Sequence, residues 1–176
     1  MRIAVVYTST TGFTQKYAKW IAEDLDGDCL ALKDMKIEDF YKYDFFVYGG
    51  SLHAVGINGF KEFKERMETL ENPKWIVFAV GATPVKDDVV PLLMSENLTK
   101  EEQKRIKLFY FRGGFDYDAL KFKDKMMMLL LKLKIKMKPQ KDRTPDEKGM
   151  INVYDQRTDF SQKKSIDRLV AYVRSL

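Results

Sequence analysis

The chain has 176 residues, 45% hydrophobic and 32% charged, the proportions of an ordinary globular protein long enough to bury a substantial core. Its longest apolar runs, such as Met126 to Leu131, are six residues, far short of the ~20 residues that a bilayer-spanning helix needs, and one histidine with one cysteine excludes a structural zinc cluster. The net charge of +5 is concentrated in one place, because residues 119–141 hold eight lysines against Asp124 alone and leave the remainder slightly acidic.

The chain opens in strand-like sequence at Arg2, which leaves no room for a signal peptide and predicts a cytoplasmic protein. Cys29, in the apolar stretch Cys29-Leu30-Ala31-Leu32, reads as a buried thiol rather than a reactive one. Strands are expected at Arg2 to Tyr7, Cys29 to Leu32, Asp44 to Gly49, Trp75 to Val80 and Ile106 to Phe111. Helical spacing falls between them at about 13–25, 37–42, 57–71 and 86–104, the last broken at Pro91 or at Ser95-Glu96-Asn97, and again from Gln162 to Leu176. This alternation predicts one α/β domain over 1–176: a doubly wound, five-stranded parallel sheet of order 2-1-3-4-5. Ligands of such sheets sit beyond the carboxyl ends of the strands, near the switch point.

The loop after the first strand is Ser9-Thr10-Thr11-Gly12-Phe13-Thr14. Its hydroxyls, a glycine that admits close backbone approach and the free N–H groups of a following helix form an anion cradle. No lysine lies within it, as a nucleoside-triphosphate loop would require, so the neutral donors suit a phosphomonoester. A plain turn with a capping threonine is the alternative. The third strand is followed by Gly49-Gly50-Ser51-Leu52-His53-Ala54-Val55-Gly56 and the fourth by Gly81-Ala82-Thr83-Pro84. These small-residue segments can border a flat ring, with the hydroxyls of Ser51 and Thr83 at its polar edge.

The pattern Ser9-x-Thr11-Gly12-x-Thr14 resembles the phosphate loop of the flavodoxin-like family, and with the two later loops the resemblance spans about 1–112 and 160–176. It implies flavin mononucleotide (FMN) as cofactor. The implied contacts are Ser9, Thr10, Thr11, Gly12, Phe13 and Thr14 at the phosphate, with Gly50, Ser51, Leu52, His53, Ala54, Val55, Gly81, Ala82 and Thr83 around the ring. His53 is either a ring contact or an ordinary loop histidine. Flavodoxins commonly stack aromatic groups on the flavin from these loops, and here the first offers Leu52 and His53 while the second offers no aromatic.

An insertion of about 113–158 separates the fifth strand from the last helix. Its middle, Phe122 to Lys138, lacks glycine and proline and reads as a helix with two apolar stripes. Phe122, Met126, Leu129, Leu130, Leu133 and Met137 form the stripe expected to pack on the protein. Met128, Leu131 and Ile135 form a second stripe between lysine borders from Lys121 to Lys138; it is either a few stray exposed apolar groups among solvated lysines or a face for an anionic membrane surface or another subunit. The alternation Lys132 to Lys138 leaves an edge strand as the alternative, and with Phe122 as the single aromatic between Lys121 and Lys138 nucleic acid is not expected.

With Gly114-Phe115-Asp116-Tyr117 before it and Thr158-Asp159-Phe160 after it, the insertion resembles that of menaquinone-dependent protoporphyrinogen oxidases, flavodoxin-like enzymes of haem biosynthesis. The resemblance implies an FMN-dependent oxidoreductase that passes electrons to a quinone, peripheral at the inner face of the membrane, with Gly114 and Tyr117 near the cofactor and Arg112 at the base of the insertion. No residue is assigned as catalytic, because the flavin carries the chemistry. A soluble flavodoxin-type electron carrier between redox proteins is the alternative, and a flavin-free interaction module is a third reading.

Overall fold

The computed structural model describes residues 1–118, 122–144, 147–149, 151 and 157–176. Lys121, set above on a lysine border, and the Tyr154-Asp155 end of the insertion lie outside them, as do the side chains of Lys123 and Asp124. The chain divides into two compact units, residues 1–113 with 161–176, and residues 114–160.

In the first unit the elements follow as β1 (Ile3–Thr8), α1 (Phe13–Leu25), β2 (Asp28–Ala31), α2 (Ile37–Phe40), β3 (Phe45–His53), β4 (Gly56–Ile57), α3 (Phe60–Met67), β5 (Trp75–Gly81), α4 (Val89–Asn97), α5 (Lys100–Arg105) and β6 (Leu108–Arg112). The sheet runs β2-β1-β3-β5-β6, all parallel along that path, which is the expected doubly wound order. The short β4 adds a sixth strand, pairing antiparallel with β3 through Leu52↔Ile57 and His53↔Gly56.

Side chains alternate across the sheet, so each strand feeds two cores. Val5, Val47, Phe78 and Phe111 face one way and pack with Tyr17 and Ile21 of α1 and with Leu169 and Val173 of the last helix. Val6, Phe46, Tyr48 and Val77 face the other and pack with Phe40, Phe60, Phe63 and Leu93. Tyr48 stacks on Phe63 at a centroid distance of 4.5 Å and fixes α3 under the sheet.

Several boundaries differ from the sequence reading. Strand 3 continues past Gly49 to His53, because its end is held as a hairpin arm. The 57–71 helix begins only at Phe60, after Gly59 in the left-handed region at φ 73°. The 86–104 segment breaks at Leu98-Thr99 and not at Pro91, which sits in the first turn of α4, where its missing N–H costs nothing. There Thr99 and Glu102 form a reciprocal capping box: the Thr99 hydroxyl accepts from the Glu102 N–H at 3.2 Å, and the Glu102 carboxylate accepts from the Thr99 N–H at 2.7 Å. The last helix narrows to Asp167–Arg174 behind a 3₁₀ turn at Lys163–Ile166. Cys29 is half-buried, and burial pushes its thiol pKa up, away from reactivity.

In the second unit β7 (Gly114–Phe115) pairs antiparallel with β8 (Thr158–Asp159), and α6 spans Phe122–Met137. The Lys132 to Lys138 alternation is therefore helical through Met137 and not an edge strand. Arg143 closes the end of α6 by donating to the carbonyls of Lys136 at 2.9 Å and Lys138 at 3.0 Å. The two stripes of α6 are reversed relative to expectation. Phe122, Leu130 and Met137 are 78%, 61% and 85% exposed, with Met126, Leu129 and Leu133 exposed beside them, whereas Ile135 is 2% exposed and Met128 and Leu131 are half-buried. A helical wheel separates two stripes but carries no information on which one meets the protein. Among the described residues, no helix is long and apolar enough to cross a membrane.

Candidate functional site

The carboxyl ends of β1, β3 and β5 lie side by side, with Thr8 opposite Gly50 and Ser51 opposite Val80. The loops Ser9 to Thr14, Gly50 to Val55 and Gly81 to Thr83 therefore emerge from adjacent strands at one edge. Gly114 and Tyr117 belong to the second unit: Gly114 pairs with Asp159 in the β7–β8 ribbon, and the Tyr117 hydroxyl donates to the Lys125 carbonyl at 3.3 Å.

At the first loop Gly12 takes φ 88°, a left-handed conformation that turns the chain into α1. The Ser9 hydroxyl accepts from the Gly12 N–H at 3.1 Å. No side chain caps α1, so the capping-threonine reading does not hold. The first turn of α1 also contains no acidic residue, which leaves the positive end of the helix dipole unneutralised by its own side chains.

Thr14 is 1% exposed, and its hydroxyl oxygen is the buried side-chain polar atom without a hydrogen-bond partner among the described residues. Leaving such a group unsatisfied costs about 1–3 kcal/mol. An orphaned hydroxyl in the first turn of a thirteen-residue helix, beside a left-handed glycine, is the arrangement that a phosphate would complete. A cavity of about 460 Å³ adjoins this loop and extends past Tyr7, Gln15, Lys33 and Asp34. Gln15 and Lys33 went unnoticed in the sequence because they reach the loop from the far side of a helix turn and from the segment after β2. Gln15 donates to the Tyr7 hydroxyl at 2.7 Å, and burial raises the pKa of that phenol.

The second loop is a braced hairpin. The Tyr48 hydroxyl donates to the Asn58 carbonyl at 2.6 Å and shares a hydrogen bond of 2.9 Å with the Thr8 hydroxyl, tying the loop to the end of β1. Burial pushes the Tyr48 pKa far above the ordinary tyrosine range, so it stays a donor. The Asn58 amide donates to the Ser51 hydroxyl at 2.9 Å. Asn97 accepts from the Ile57 N–H at 3.0 Å and donates to the Val55 carbonyl at 2.8 Å, while Ala54 adopts φ 53° at the tip. His53 and Ala54 are exposed, and Leu52 is half-buried. Neither Asn58 nor Asn97 carries a local sequence signal for this role.

The third loop is fastened from β6. The Tyr110 hydroxyl donates to the Thr83 carbonyl at 2.7 Å, Arg112 Nε donates to the Ala82 carbonyl at 3.2 Å, and the Gly113 N–H donates to the Gly81 carbonyl at 2.8 Å. Burial pushes the Tyr110 pKa up to about 12. The edge thus combines an anion-seeking helix start with two hydrogen-bonded loops whose exposed side chains, His53 apart, are small or apolar. That set of donors fits FMN: hydroxyls and N–H groups for the phosphate, and held backbone for a flat ring.

Comparison with solved structures gives matches at low identity, with TM-scores below 0.5 for those named here. The chain is similar to a flavodoxin from the domain Archaea at 13% identity, covering 88% of this chain and 97% of that one with a TM-score of 0.47. It is similar to the two-electron reduced flavodoxin of Megasphaera elsdenii at 14% identity, over 61% and 84% of the two chains, with a TM-score of 0.45. The Trp repressor binding protein of Bacillus subtilis aligns at 19% identity, over 64% and 85%, with a TM-score of 0.46. No curated protein sequence matches the chain. The family model of the flavodoxin domain matches residues 4–144, well over half of the chain, and on that match the protein belongs to the flavodoxin domain family, whose cofactor is FMN.

Proposed function

We propose that this protein is an FMN-dependent oxidoreductase that takes electrons from a reduced organic substrate of the porphyrinogen class and passes them to a quinone. The observation that carries the cofactor site is the buried hydroxyl of Thr14 at the start of α1, which has no hydrogen-bond partner among the described residues. Ser9, Thr10, Thr11 and Thr14 would donate to the phosphate, with Gly12 giving backbone access. Gly50 to Val55 and Gly81 to Thr83 would border the ring. Bound FMN supplies the reversible uptake of electrons. The residues of the chain supply position: Tyr48 and Asn97 hold the β3 hairpin, and Tyr110 with Arg112 holds the loop after β5. The substrate loses electrons and protons in pairs, and each pair reduces a quinone to its quinol.

The support for an enzyme over a carrier is the character of the ring loops. Leu52, His53, Ala54 and Val55 on one side and Ala82, Thr83 and Pro84 on the other present no large aromatic cover, which suits a substrate that stacks on the ring itself. An anaerobic assay of the FMN-loaded protein with protoporphyrinogen and a menaquinone analogue, read by porphyrin fluorescence, tests the proposal. Porphyrin formation above a flavin-free control supports it, and FMN binding without porphyrin formation removes the substrate assignment.

Family membership favours a second reading, a soluble carrier that exchanges electrons with redox partner proteins. Potentiometry separates the two. Widely separated one-electron potentials indicate the carrier, and a single two-electron step indicates the oxidoreductase.

A further inference from the structure

The second unit carries an apolar surface of its own. On α6, Phe122, Met126, Leu129, Leu130, Leu133 and Met137 fall within a stripe about 100° wide along the helix, and every one of them is exposed. The sixteen residues make this stripe about 24 Å long. Exposed Lys134 lies along one border and exposed Lys136 along the other, beside a half-buried Lys125 over the Tyr117 ring, while Lys138, just past the helix end, is paired with Glu147 at 2.6 Å. Among the residues of α6 whose side chains are described, none is acidic.

We infer that the exposed stripe of α6 docks on the surface of an anionic lipid bilayer, its methionine, leucine and phenylalanine side chains entering the acyl boundary and its lysines meeting the headgroups. The chemistry selects this occupant. A helix with an apolar face and lysines on its flanks matches the layered character of a bilayer, apolar below and anionic at the plane. A second copy fits poorly, because pairing two such stripes in the symmetric way of a homodimer would bring lysine borders together. Methionine and leucine suit a fluid partner without a fixed surface to match. The surface also lies on the opposite side of α6 from the stripe that the sequence pattern favoured for the membrane. The inference rests on α6 alone, so it stands or falls separately from the redox reading.

The test uses the full FMN-loaded chain in sedimentation with vesicles of phosphatidylglycerol and phosphatidylcholine, against vesicles of phosphatidylcholine alone. The expected result is binding to the anionic vesicles that weakens with added salt. Lys134→Gln with Lys136→Gln should lower the partition coefficient about 25-fold, at about five-fold per lysine. The control, Lys100→Gln with Lys164→Gln, removes the same charge from exposed lysines outside α6 and should leave binding within about two-fold of the parent. Leu130→Ser with Leu133→Ser should abolish binding while FMN retention and circular dichroism stay unchanged, because both side chains are exposed. A Phe122→Trp reporter should shift its emission to the blue on adding anionic vesicles. Absence of anionic-vesicle binding overturns the inference, as does an equal loss in the control. Concentration-dependent self-association removed by Leu130→Ser with Leu133→Ser, without vesicle binding, would assign the stripe to a second copy instead.

Discussion

The side-chain amide of Asn97 donates to the carbonyl of Val55 at 2.8 Å, joining the end of α4 to a hairpin 42 residues earlier in the chain. The same amide accepts from the Ile57 N–H at 3.0 Å, so one side chain sets two points of the loop. Asn97→Ala should free this loop and weaken FMN binding by about five- to thirty-fold, the value of one or two hydrogen bonds. Asn97→Asp, which keeps the acceptor for Ile57 and loses the donor to Val55, should fall between the two. Fluorescence titration with FMN reads both, and parent-like affinity in Asn97→Ala would remove the loop from the binding site.

Thr14 offers a test in which stability and binding move in opposite directions. Thr14→Val removes a buried hydroxyl without a partner and keeps the volume, so the FMN-free protein should gain about 1 kcal/mol or lose nothing. Its affinity for FMN should drop about ten- to hundred-fold, because a phosphate donor is gone. Thermal melting of the FMN-free protein together with FMN titration checks the pair. A loss of stability with unchanged affinity would mean that the hydroxyl serves the fold.

Gly59 is a position where only glycine fits. Its φ is 73°, and an added Cβ would stand 2.3 Å from the Thr8 hydroxyl and 2.5 Å from the Tyr48 hydroxyl. Gly59→Ala should cost about 2–4 kcal/mol by combining left-handed strain with a clash against the hydrogen-bonded pair that holds the hairpin. Urea denaturation measures this cost, and a value below about 1 kcal/mol would show that the turn relaxes.

The phenols of Tyr48 and Tyr110 give the fold an alkaline limit. Burial raises both pKa values, that of Tyr110 to about 12 and that of Tyr48 further, from an ordinary value of 10.0. Above about pH 10 the unfolded chain has released these protons while the folded chain keeps them, so stability is full below that pH and falls as pH rises. Denaturation midpoints between about pH 9 and 11 should decline, and Tyr48→Phe should flatten the decline while lowering stability at neutral pH by about 1–3 kcal/mol through the stranded Asn58 carbonyl.

The alternation of strands and helices, the order of the parallel sheet and the hydroxyl-rich loop Ser9 to Thr14 were legible in the chain before folding. Each of these is written in local spacing: apolar runs of strand length, helical periodicity between them, and a glycine at a strand-to-helix turn. The tertiary structure decided what depends on distant partners. It selected Thr14 as the buried hydroxyl among four candidates, because only its position faces inward in the first turn of α1. It recruited Asn58, Asn97, Tyr48 and Tyr110 to hold the loops through bonds that cross the fold. It extended β3 into a hairpin that no local turn signal marks. It also chose which apolar stripe of α6 is buried. Periodicity fixes the angle between two faces of a helix, but the surroundings of the folded chain decide which face leaves water.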